Sequence, residues 1–399
     1  MRILSLFLLL FLVCLFSGCS EAPHDERTDV AAAEEWAPDT GTVPGRWSPD
    51  RIAQYVSERP WVVGANYNNR GAINQLEMWQ ATSFDTAQIN EELGWAASIG
   101  MNSMRVYLHN LLWEQDSLGF LDRMETYLTI ADRHGISTTF VLFDSVWNPE
   151  SSTGPQPAPI PHTHNSGWVQ SPPERQLTLD QEHFPTFRTY VQGVLNHFRE
   201  DERIYAWDLY NEPDNHNFGK FAEEQVSDKE QRVFPLLRAS YEWARKVAPS
   251  QPLTTGVWFG DLFHGDGSLN TFNTFQLNNS DVISYHFYGS GEAHADFLPR
   301  IEEYQRPLLC TEYMARTNGS TFANTLPLLA ERNIGAYNWG LVSGKSQTIY
   351  PWVSWDSTFV AEPHRWFHDV FHPDGTPYDP AEATLISALS TEKNDKQQN

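Results

Sequence analysis

The sequence predicts a single catalytic domain with the (β/α)8 fold, a TIM barrel. Eight short apolar runs alternate with segments whose apolar residues recur at helical spacing, which is the pattern of a parallel sheet covered by helices. Eight parallel strands close such a sheet into a barrel. Two of the runs end on a glutamate, Glu212 and Glu312, and a barrel carries its active site at that end of its strands.

Each predicted strand is a run of apolar, β-branched or aromatic residues that polar residues or glycine bound on both sides. In chain order the runs span residues 61–67, 102–108, 136–143, 204–210, 253–259, 281–287, 307–313 and 334–339. Between the first two, Ile89, Leu93 and Ala96 mark a helix that ends at Gly100. An open doubly wound sheet is the alternative fold, but it would ordinarily carry a glycine-rich phosphate turn after the first strand, and residues 64–68 do not form one.

The two ends of the chain are predicted to lie outside the barrel. Residues 1–18 have the pattern of a secretory signal, and residues 15–19 resemble a bacterial lipoprotein box in which Cys19 is acylated. Plain secretion is the alternative, and either way we expect the protein outside the cytoplasm, secreted or lipid-anchored. Residues 19–55 are predicted to form a flexible acidic linker, residues 56–390 the barrel domain, and residues 391–399 a polar tail.

The composition excludes some partners. The chain has 27 Lys and Arg against 51 Asp and Glu, a formal net charge of -24, which argues against nucleic acid or an anionic membrane surface. Contact with a membrane is therefore expected only through a lipid anchor. Its 15 tryptophans suit carbohydrate, because sugar rings stack on indole, although core packing explains any one of them equally well. The tryptophans in question are Trp113, Trp147, Trp168, Trp258, Trp352 and Trp355.

Two glutamates at strand ends are the chief functional signal. Asn211, Glu212 and Pro213 follow the fourth predicted strand directly, and Glu312 ends the apolar part of the seventh. Retaining glycoside hydrolysis needs two carboxyl groups about 5 to 5.5 Å apart, one as proton donor and one as nucleophile. Taken singly, each glutamate is more simply a solvated loop residue. The pair predicts a glycosidase that acts on carbohydrate.

These motifs resemble those of the clan A retaining glycoside hydrolases, most closely the cellulase- and mannanase-like family 5, over roughly residues 60–390. The resemblance implies that Glu212 is the acid/base and Glu312 the nucleophile. It also implies that five further residues contribute to substrate binding, namely Arg105, Asn211, His286, Tyr288 and Trp339. By this resemblance Arg105 keeps the nucleophile ionised, Asn211 binds the sugar 2-hydroxyl, and Trp339 lies under the reacting sugar. His286 and Tyr288 correspond to the family's pair of residues beside the nucleophile.

One position departs from the family pattern. Family 5 often has a histidine after the third strand, where this chain has Asp144. Either His162 or His164 replaces it from the long, proline-rich loop of residues 144–180, or the substrate differs. A loop of this length is usually functional. The two histidines offer only two metal ligands, so neither a metal nor a cofactor is expected.

The sequence leaves three functions open. The main hypothesis is a retaining β-glycoside hydrolase of poly- or oligosaccharides. A surface glycan-binding lipoprotein that kept the barrel without the activity is the alternative from another class. Transglycosylation, in which a sugar instead of water reaches the intermediate, would use the same residues.

Overall fold

Eight parallel strands form a closed barrel in which each strand pairs with its neighbours in chain order and the eighth pairs with the first. In this computed structural model residues 36–217, 220–258 and 269–398 are described. Within them the strands are β1 Val63–Asn66, β2 Ser103–Tyr107, β3 Ser137–Val141, β4 Ile204–Asn211, β5 Leu253–Val257, β6 Ile283–His286, β7 Leu308–Tyr313 and β8 Gly335–Trp339. The predicted fold and strand order are confirmed.

Helices cover the outside of the barrel. Among the described residues they are α1 Pro49–Ser57, α2 Gln75–Trp79, α3 Thr86–Ser98, α4 Asn110–Arg133, α5 Phe184–His197, α6 Lys220–Glu224, α7 Lys229–Val247, α8 Thr271–Asn279, α9 Gly291–Glu302, α10 Phe322–Glu331 and α11 Pro380–Gln398. Helix α3 shows how the sequence sets them. The Asp85 side chain caps its first turn, and its predicted apolar face of Ile89, Leu93 and Ala96 is fully buried.

The folded unit begins earlier than residue 56, the boundary that the sequence analysis predicts. Residues 38–399 form one compact unit, and α1 lies inside the segment predicted as a flexible linker. Trp47, Ile52 and Tyr55 are buried there against residues at the amino-terminal ends of the strands, which include Tyr205 and Leu309. Burial of these aromatic and aliphatic side chains offsets the entropy of ordering the segment.

The predicted polar tail also differs, because α11 continues through it to Gln398. The predicted signal of residues 1–18 and the Cys19 anchor lie outside the described residues. Among the helices that the structure describes, none combines the length and the apolar character that crossing a bilayer requires.

The loop of residues 144–180 packs along the carboxyl-terminal end of the barrel. Asp144, three residues beyond the end of β3, pairs with Ser171 in an antiparallel bridge and with Asn211 of β4 in a parallel one. The loop contains one short 3-10 helix, Glu174–Gln176, and buries Trp147 and Trp168. The long connection is therefore a packed part of the barrel's functional end.

Candidate active site

Glu212 and Glu312 lie together at the carboxyl-terminal end of the barrel. Glu212 follows β4 directly, and Glu312 is the fifth residue of β7. A carboxylate oxygen of each lies within 4.8 Å of the other and of a ring nitrogen of His286. Both glutamates are buried, with exposed fractions of 3% and 5%. Two buried carboxyl groups this close cannot both ionise cheaply, which is the condition for dividing acid and nucleophile roles between them.

Backbone geometry aims the Glu212 side chain. Its φ of 44° lies in the left-handed region, which is uncommon for a residue with a side chain and concentrates at functional sites. The Glu212 N–H nevertheless keeps a hydrogen bond to the Gly256 carbonyl of β5, at 2.8 Å. The carboxyl group contacts His286 Nδ1 through Oε1 at 2.5 Å and accepts from Asn215 Nδ2 through Oε2 at 2.6 Å.

Glu312 is surrounded by donors. Its Oε1 accepts from Arg105 Nη1 at 3.0 Å and from the Tyr107 hydroxyl at 2.9 Å. Its Oε2 accepts from the Tyr288 hydroxyl at 2.7 Å. Burial and the nearby Glu312 charge raise the pKa of Tyr288 well above its usual value, so this hydroxyl stays protonated and continues to donate. Three donors, one of them charged, therefore fix the orientation of both oxygens of this carboxyl group.

Arg105 links the two strands that carry the site's acids. It is fully buried, and its guanidinium donates to Asp208 Oδ2 through Nε and Nη2, at 3.0 and 2.8 Å. It also donates to Asn211 Oδ1 at 2.6 Å and to Asn66 Oδ1 at 2.8 Å. An arginine with a permanent charge and a rigid fork of donors suits such a crossing point.

Asn211 is oriented by partners of opposite character. Its Oδ1 accepts from Arg105, and its Nδ2 donates to Asp144 Oδ1 at 3.0 Å. Asp144 Oδ2 accepts from Trp168 Nε1 at 2.7 Å. Burial raises the pKa of Asp144 to about 7, although the hydrogen bonds from Asn211 and Trp168 oppose the shift. Because an amide nitrogen has two hydrogens, Asn211 Nδ2 can donate one further hydrogen bond.

His286 sits between the glutamates as a neutral ring. Burial lowers the pKa of His286 to about 4, so near neutral pH the imidazole carries a single proton. Its Nε2 has no hydrogen-bond partner and lies beside Gly256, where an added Cβ would come within 3.2 Å of it and within 2.8 Å of Arg105 Nη2. Glycine at residue 256 is therefore required by the close approach of these side chains.

A cavity of about 470 Å³, counted with its share open to solvent, lies over the two glutamates. The half-buried Trp339, at the end of β8, forms part of its lining and meets the rings of Tyr107 and Trp168 edge to face. Trp147, Trp168, Trp258 and Trp352 also line it, and these are four of the six other tryptophans proposed from the sequence. The other two, Trp355 and Trp113, are not in the lining. Trp355 stacks on Trp147, and Trp113 packs against Tyr190.

The position of the missing histidine has a definite occupant. Asp144 itself lies in the cavity lining and binds Asn211. His164 also reaches the lining, whereas His162 binds the Tyr350 hydroxyl away from it. Burial lowers the pKa of His164 to about 4, so this ring is neutral. Of the two alternatives for a replacement histidine, the structure brings His164 to the site and not His162.

One set of side chains here could hold a metal ion. Glu212, His286 and Glu312 each offer one ligand atom, and these atoms lie within 4.8 Å of one another. Two carboxylates and one imidazole suit several divalent ions. The carboxylate oxygens already accept from Tyr288 and Asn215 and contact His286 Nδ1, whereas His286 Nε2 has no hydrogen-bond partner.

Sequence reasoning missed several residues that shape this site. Tyr107 and Asn215 each bind one of the two glutamates, and Asp208 binds Arg105. For Tyr107 a signal existed, because residues two apart on a strand share a face and Arg105 is two residues earlier. Asn215 lies in an irregular turn after β4, where no periodicity applies.

Comparisons with known proteins find fold neighbours and no sequence relative. No protein-family model matches the chain, and no curated protein matches it significantly. Among solved structures, GH5_18 from Streptomyces cattleya in complex with GlcNAc matches with a TM-score of 0.54 at 12% identity, covering 84% of this chain and 81% of that chain. The endo-beta-1,4-mannanase from Thermotoga petrophila matches with a TM-score of 0.54 at 14% identity, covering 86% and 78%.

A third structure extends the same result. The exo-beta-1,4-mannosidase from Opitutaceae bacterium strain TAV5 matches with a TM-score of 0.54 at 17% identity, covering 86% of this chain and 61% of that chain. Identities this low show a shared fold. Over most of its length the chain thus has the (β/α)8 barrel of these glycoside hydrolases, as its resemblance to family 5 led us to expect.

Proposed function

We propose that this protein is a retaining β-glycoside hydrolase that acts by double displacement on poly- or oligosaccharides. The observation that carries the proposal is the separation of Glu212 and Glu312, whose nearest carboxylate oxygens lie within 4.8 Å. This agrees with the spacing of about 5 to 5.5 Å in retaining enzymes and is shorter than the roughly 6.5 to 9.5 Å that an inverting enzyme needs for its water.

In the first displacement Glu312 attacks the anomeric carbon while Glu212 gives its proton to the glycosidic oxygen. Arg105, Tyr107 and Tyr288 hold Glu312 ionised and fix its two oxygens. The bond from the sugar to the leaving group breaks as the ester bond to Glu312 forms, and the protonated leaving group departs.

In the second displacement Glu212 acts as a base. Esterification removes the negative charge of Glu312, and without this repulsion the carboxylate form of Glu212 is stabilised. Water gives a proton to Glu212 and attacks the anomeric carbon, which releases Glu312 as a carboxylate. Two inversions at one carbon give a product with the β configuration of the substrate. The proposed role of Asn211 is to bind the 2-hydroxyl through its remaining N–H.

Substrate and location extend the proposal. The fold neighbours are an endo-mannanase, an exo-mannosidase and an enzyme bound to GlcNAc, so β-mannosides are the first substrates to test. We further propose that the protein is exported and acts outside the cytoplasm, on a lipid anchor at Cys19, because the chain begins with a signal-like segment that ends at this cysteine.

Azide rescue of two alanine variants tests the two roles separately. With an activated aryl β-glycoside, Glu312→Ala should lose about 10⁴-fold or more in kcat/KM. Azide then displaces the leaving group directly, and the product is the α-glycosyl azide because only one inversion occurs. Glu212→Ala should still form the glycosyl enzyme with a good leaving group, and azide should give the β-glycosyl azide.

The matched control is Glu302→Ala, which replaces a glutamate at the end of α9 whose partner is Arg332. It should keep wild-type activity. Activity that survives both active-site replacements would contradict the proposal, and so would exchange of the two azide products between the variants. Activity should also persist in EDTA, since no step above uses a metal.

A further inference from the structure

We propose that the enzyme cuts from the non-reducing chain end and releases one sugar at a time. The inference rests on the proposed function and deepens it. Its basis is a wall of three joined loops, those after β1, β3 and β8, on the side of the site away from Glu212. The wall leaves the reacting sugar no continuation in that direction.

The loop after β3 is bonded directly to the loop after β8. Gln347 accepts from the His162 N–H at 2.7 Å, and its Nε2 donates to the carbonyls of Ile160 and Thr163 at 2.8 and 3.2 Å. The Asn165 N–H donates to the Ser346 carbonyl at 3.0 Å. In the barrel β3 and β8 are separated by β1 and β2, so this junction spans the ends of those two strands.

Side chains strengthen the same junction. The His164 N–H donates to Ser354 Oγ at 2.9 Å, and His164 Nδ1 contacts the Tyr350 carbonyl at 2.8 Å. Trp147 of the first loop stacks on Trp355 of the second, with ring centroids 5.0 Å apart. Hydrogen bonds and stacked rings between two loops resist their separation.

The loop after β1 completes the wall. Asn74 Nδ2 donates to the Gly167 carbonyl at 2.8 Å, and Gln75 Nε2 donates to the Val169 carbonyl at 2.6 Å, which joins it to the loop after β3. The Lys345 N–H donates to the Arg70 carbonyl at 3.0 Å, which joins it to the loop after β8. Each of the three loops is therefore hydrogen-bonded to the other two.

The positions of the two glutamates say which part of the substrate meets this wall. The acid protonates the glycosidic oxygen, so the leaving group lies beside Glu212, after β4. The rest of a longer chain on the non-reducing side would extend away from Glu212, toward β8, which is four strands from β4 in either direction. That direction is the one the joined loops close.

A second cavity adjoins the active-site cavity on that side. Asn165, Trp168 and Trp339 line both, and the space of the second, counted with its share open to solvent, is about 330 Å³. In the lining of the second cavity Thr348 and Asp369 are buried, and the Thr348 hydroxyl lies 2.7 Å from Asp369 Oδ2.

Product analysis with defined oligosaccharides tests the inference. The wild-type protein is given a series of β-linked oligosaccharides, two to six sugars long and labelled at the reducing end, of the sugar whose aryl β-glycoside it cleaves fastest. We expect the free monosaccharide as the sole unlabelled early product, with the label on a fragment one sugar shorter. Early release of disaccharide or larger unlabelled fragments overturns the inference.

The aryl β-glycoside separates the two levels of the proposal. If it is cleaved while no oligosaccharide is, the chain-end inference is overturned and the hydrolase proposal stands. If neither is cleaved under conditions in which the protein is folded, the proposed function itself fails.

The variant Gln347→Ala tests the wall as the cause. It removes the hydrogen bonds that the Gln347 side chain makes across the junction. Because alanine and glutamine both carry a Cβ, the replacement leaves the strain of the left-handed φ of 59° at this position nearly unchanged. We expect a several-fold rise in the share of disaccharide and larger unlabelled products, with aryl-glycoside cleavage unchanged. The matched control, Gln192→Ala on α5, should keep the wild-type products. An unchanged product profile in a folded Gln347→Ala protein would contradict the role of the junction.

Discussion

Asp144 shows at the scale of a residue how this site differs from the pattern its sequence resembles. The position after β3 holds a buried carboxyl group that accepts from Asn211 and from Trp168, one a proposed substrate-binding residue and the other part of the cavity lining. Its hydrogen bonds therefore orient both of these side chains. Because Asp144 also lies in the lining, a sugar hydroxyl could reach it directly.

Replacing this residue should affect catalysis and the pH dependence of stability together. In Asp144→Asn an amide N–H faces either Asn211 Nδ2 or Trp168 Nε1, so one of these two donors loses its acceptor. Because that side chain is then no longer held in place, we expect kcat/KM to fall about tenfold or more. Burial raises the pKa of Asp144 to about 7, so the native state holds a proton that the unfolded state has lost between about pH 4 and 7. This group's contribution to stability falls across that window as pH rises.

The stability advantage of the wild type over Asp144→Asn should therefore be larger at pH 5 than at pH 8. At most it narrows by roughly 1.4 kcal/mol for each pH unit within the window. Urea unfolding at the two pH values measures it, with the exposed Asp122→Asn as control. A stability difference between wild type and Asp144→Asn that grows toward pH 8 would contradict the raised pKa of Asp144.

The acids could be predicted at this scale and their partners could not. Glu212 and Glu312 follow from strand-end patterns, since apolar runs that stop at a carboxylate are visible in one sequence. Asn215 and Asp208 belong to the candidate site only through their contacts, with Glu212 in the turn after β4 and with Arg105 on β2. Neither residue belongs to a sequence motif or a periodic pattern that would indicate its contact.

At the scale of elements, strand irregularities decide which side chains reach the site. Asp208 and Asn211 are three residues apart, and a regular strand would point them to opposite faces. The register between β4 and β5 shifts between these two residues, and both contact Arg105. Similar shifts occur before His286 and after Cys310. Bulges are common next to active sites, but a period of two residues cannot forecast them.

Helix α1 was missed although its start signals are present in the sequence, because the composition of the segment favoured a flexible linker. Ser48 caps the helix and Pro49 begins it, and both are standard start signals. The acidic, proline-containing surroundings led to the prediction of a flexible linker through residue 55. Instead the Tyr55 hydroxyl donates to the Tyr205 carbonyl at 2.8 Å, and Trp47 packs on Tyr55.

This helix should matter for stability and not for chemistry. Trp47 is 6% exposed at the end of the barrel opposite the glutamates, and Trp47→Ala should cost about 3 to 5 kcal/mol of unfolding free energy. Well below the unfolding transition, kcat/KM should equal that of the wild type. Calorimetry and aryl-glycoside kinetics on one sample check both halves, and a loss of kcat/KM without a loss of stability would contradict the division.

At the scale of the whole molecule, the barrel separates function from stability. The carboxyl-terminal end carries the carboxyl pair, on and just after strands β7 and β4, and the proposed wall, while α1 packs at the amino-terminal end. The fold class could be predicted because eight apolar runs and their spacing reflect the whole architecture. The junctions between loops depend on individual side chains far apart in sequence, such as Gln347 and His162, and the sequence shows nothing of them.

Buried titratable groups predict how the whole molecule responds to acid. Burial lowers the pKa of five histidines, to about 3 or 4 for four of them and well below its usual value for His368, so the unfolded state binds more protons than the native state between about pH 4 and 6.5. They are His109, His164, His286, His294 and His368. Three buried acids, Glu92, Asp144 and Asp369, have raised pKa values of about 6 to 7 and act in the opposite sense.

Because the histidines outnumber the acids, stability should fall as pH drops from 6.5 toward 4.5. Each uncompensated proton corresponds to roughly 1.4 kcal/mol per pH unit. Chemical unfolding at half-unit pH steps measures the slope. A protein that becomes more stable on acidification through this range would contradict the predicted neutral state of these rings.

The anomeric configuration of the first product tests the central claim most directly, namely that two carboxyl groups within 4.8 Å divide the roles of acid and nucleophile. Proton NMR during hydrolysis of an aryl β-glycoside resolves the two anomers before they interconvert. Double displacement at Glu312 predicts that the β anomer appears first and the α anomer only later, by mutarotation. The α anomer as first product would mean a single displacement by water and would contradict the account.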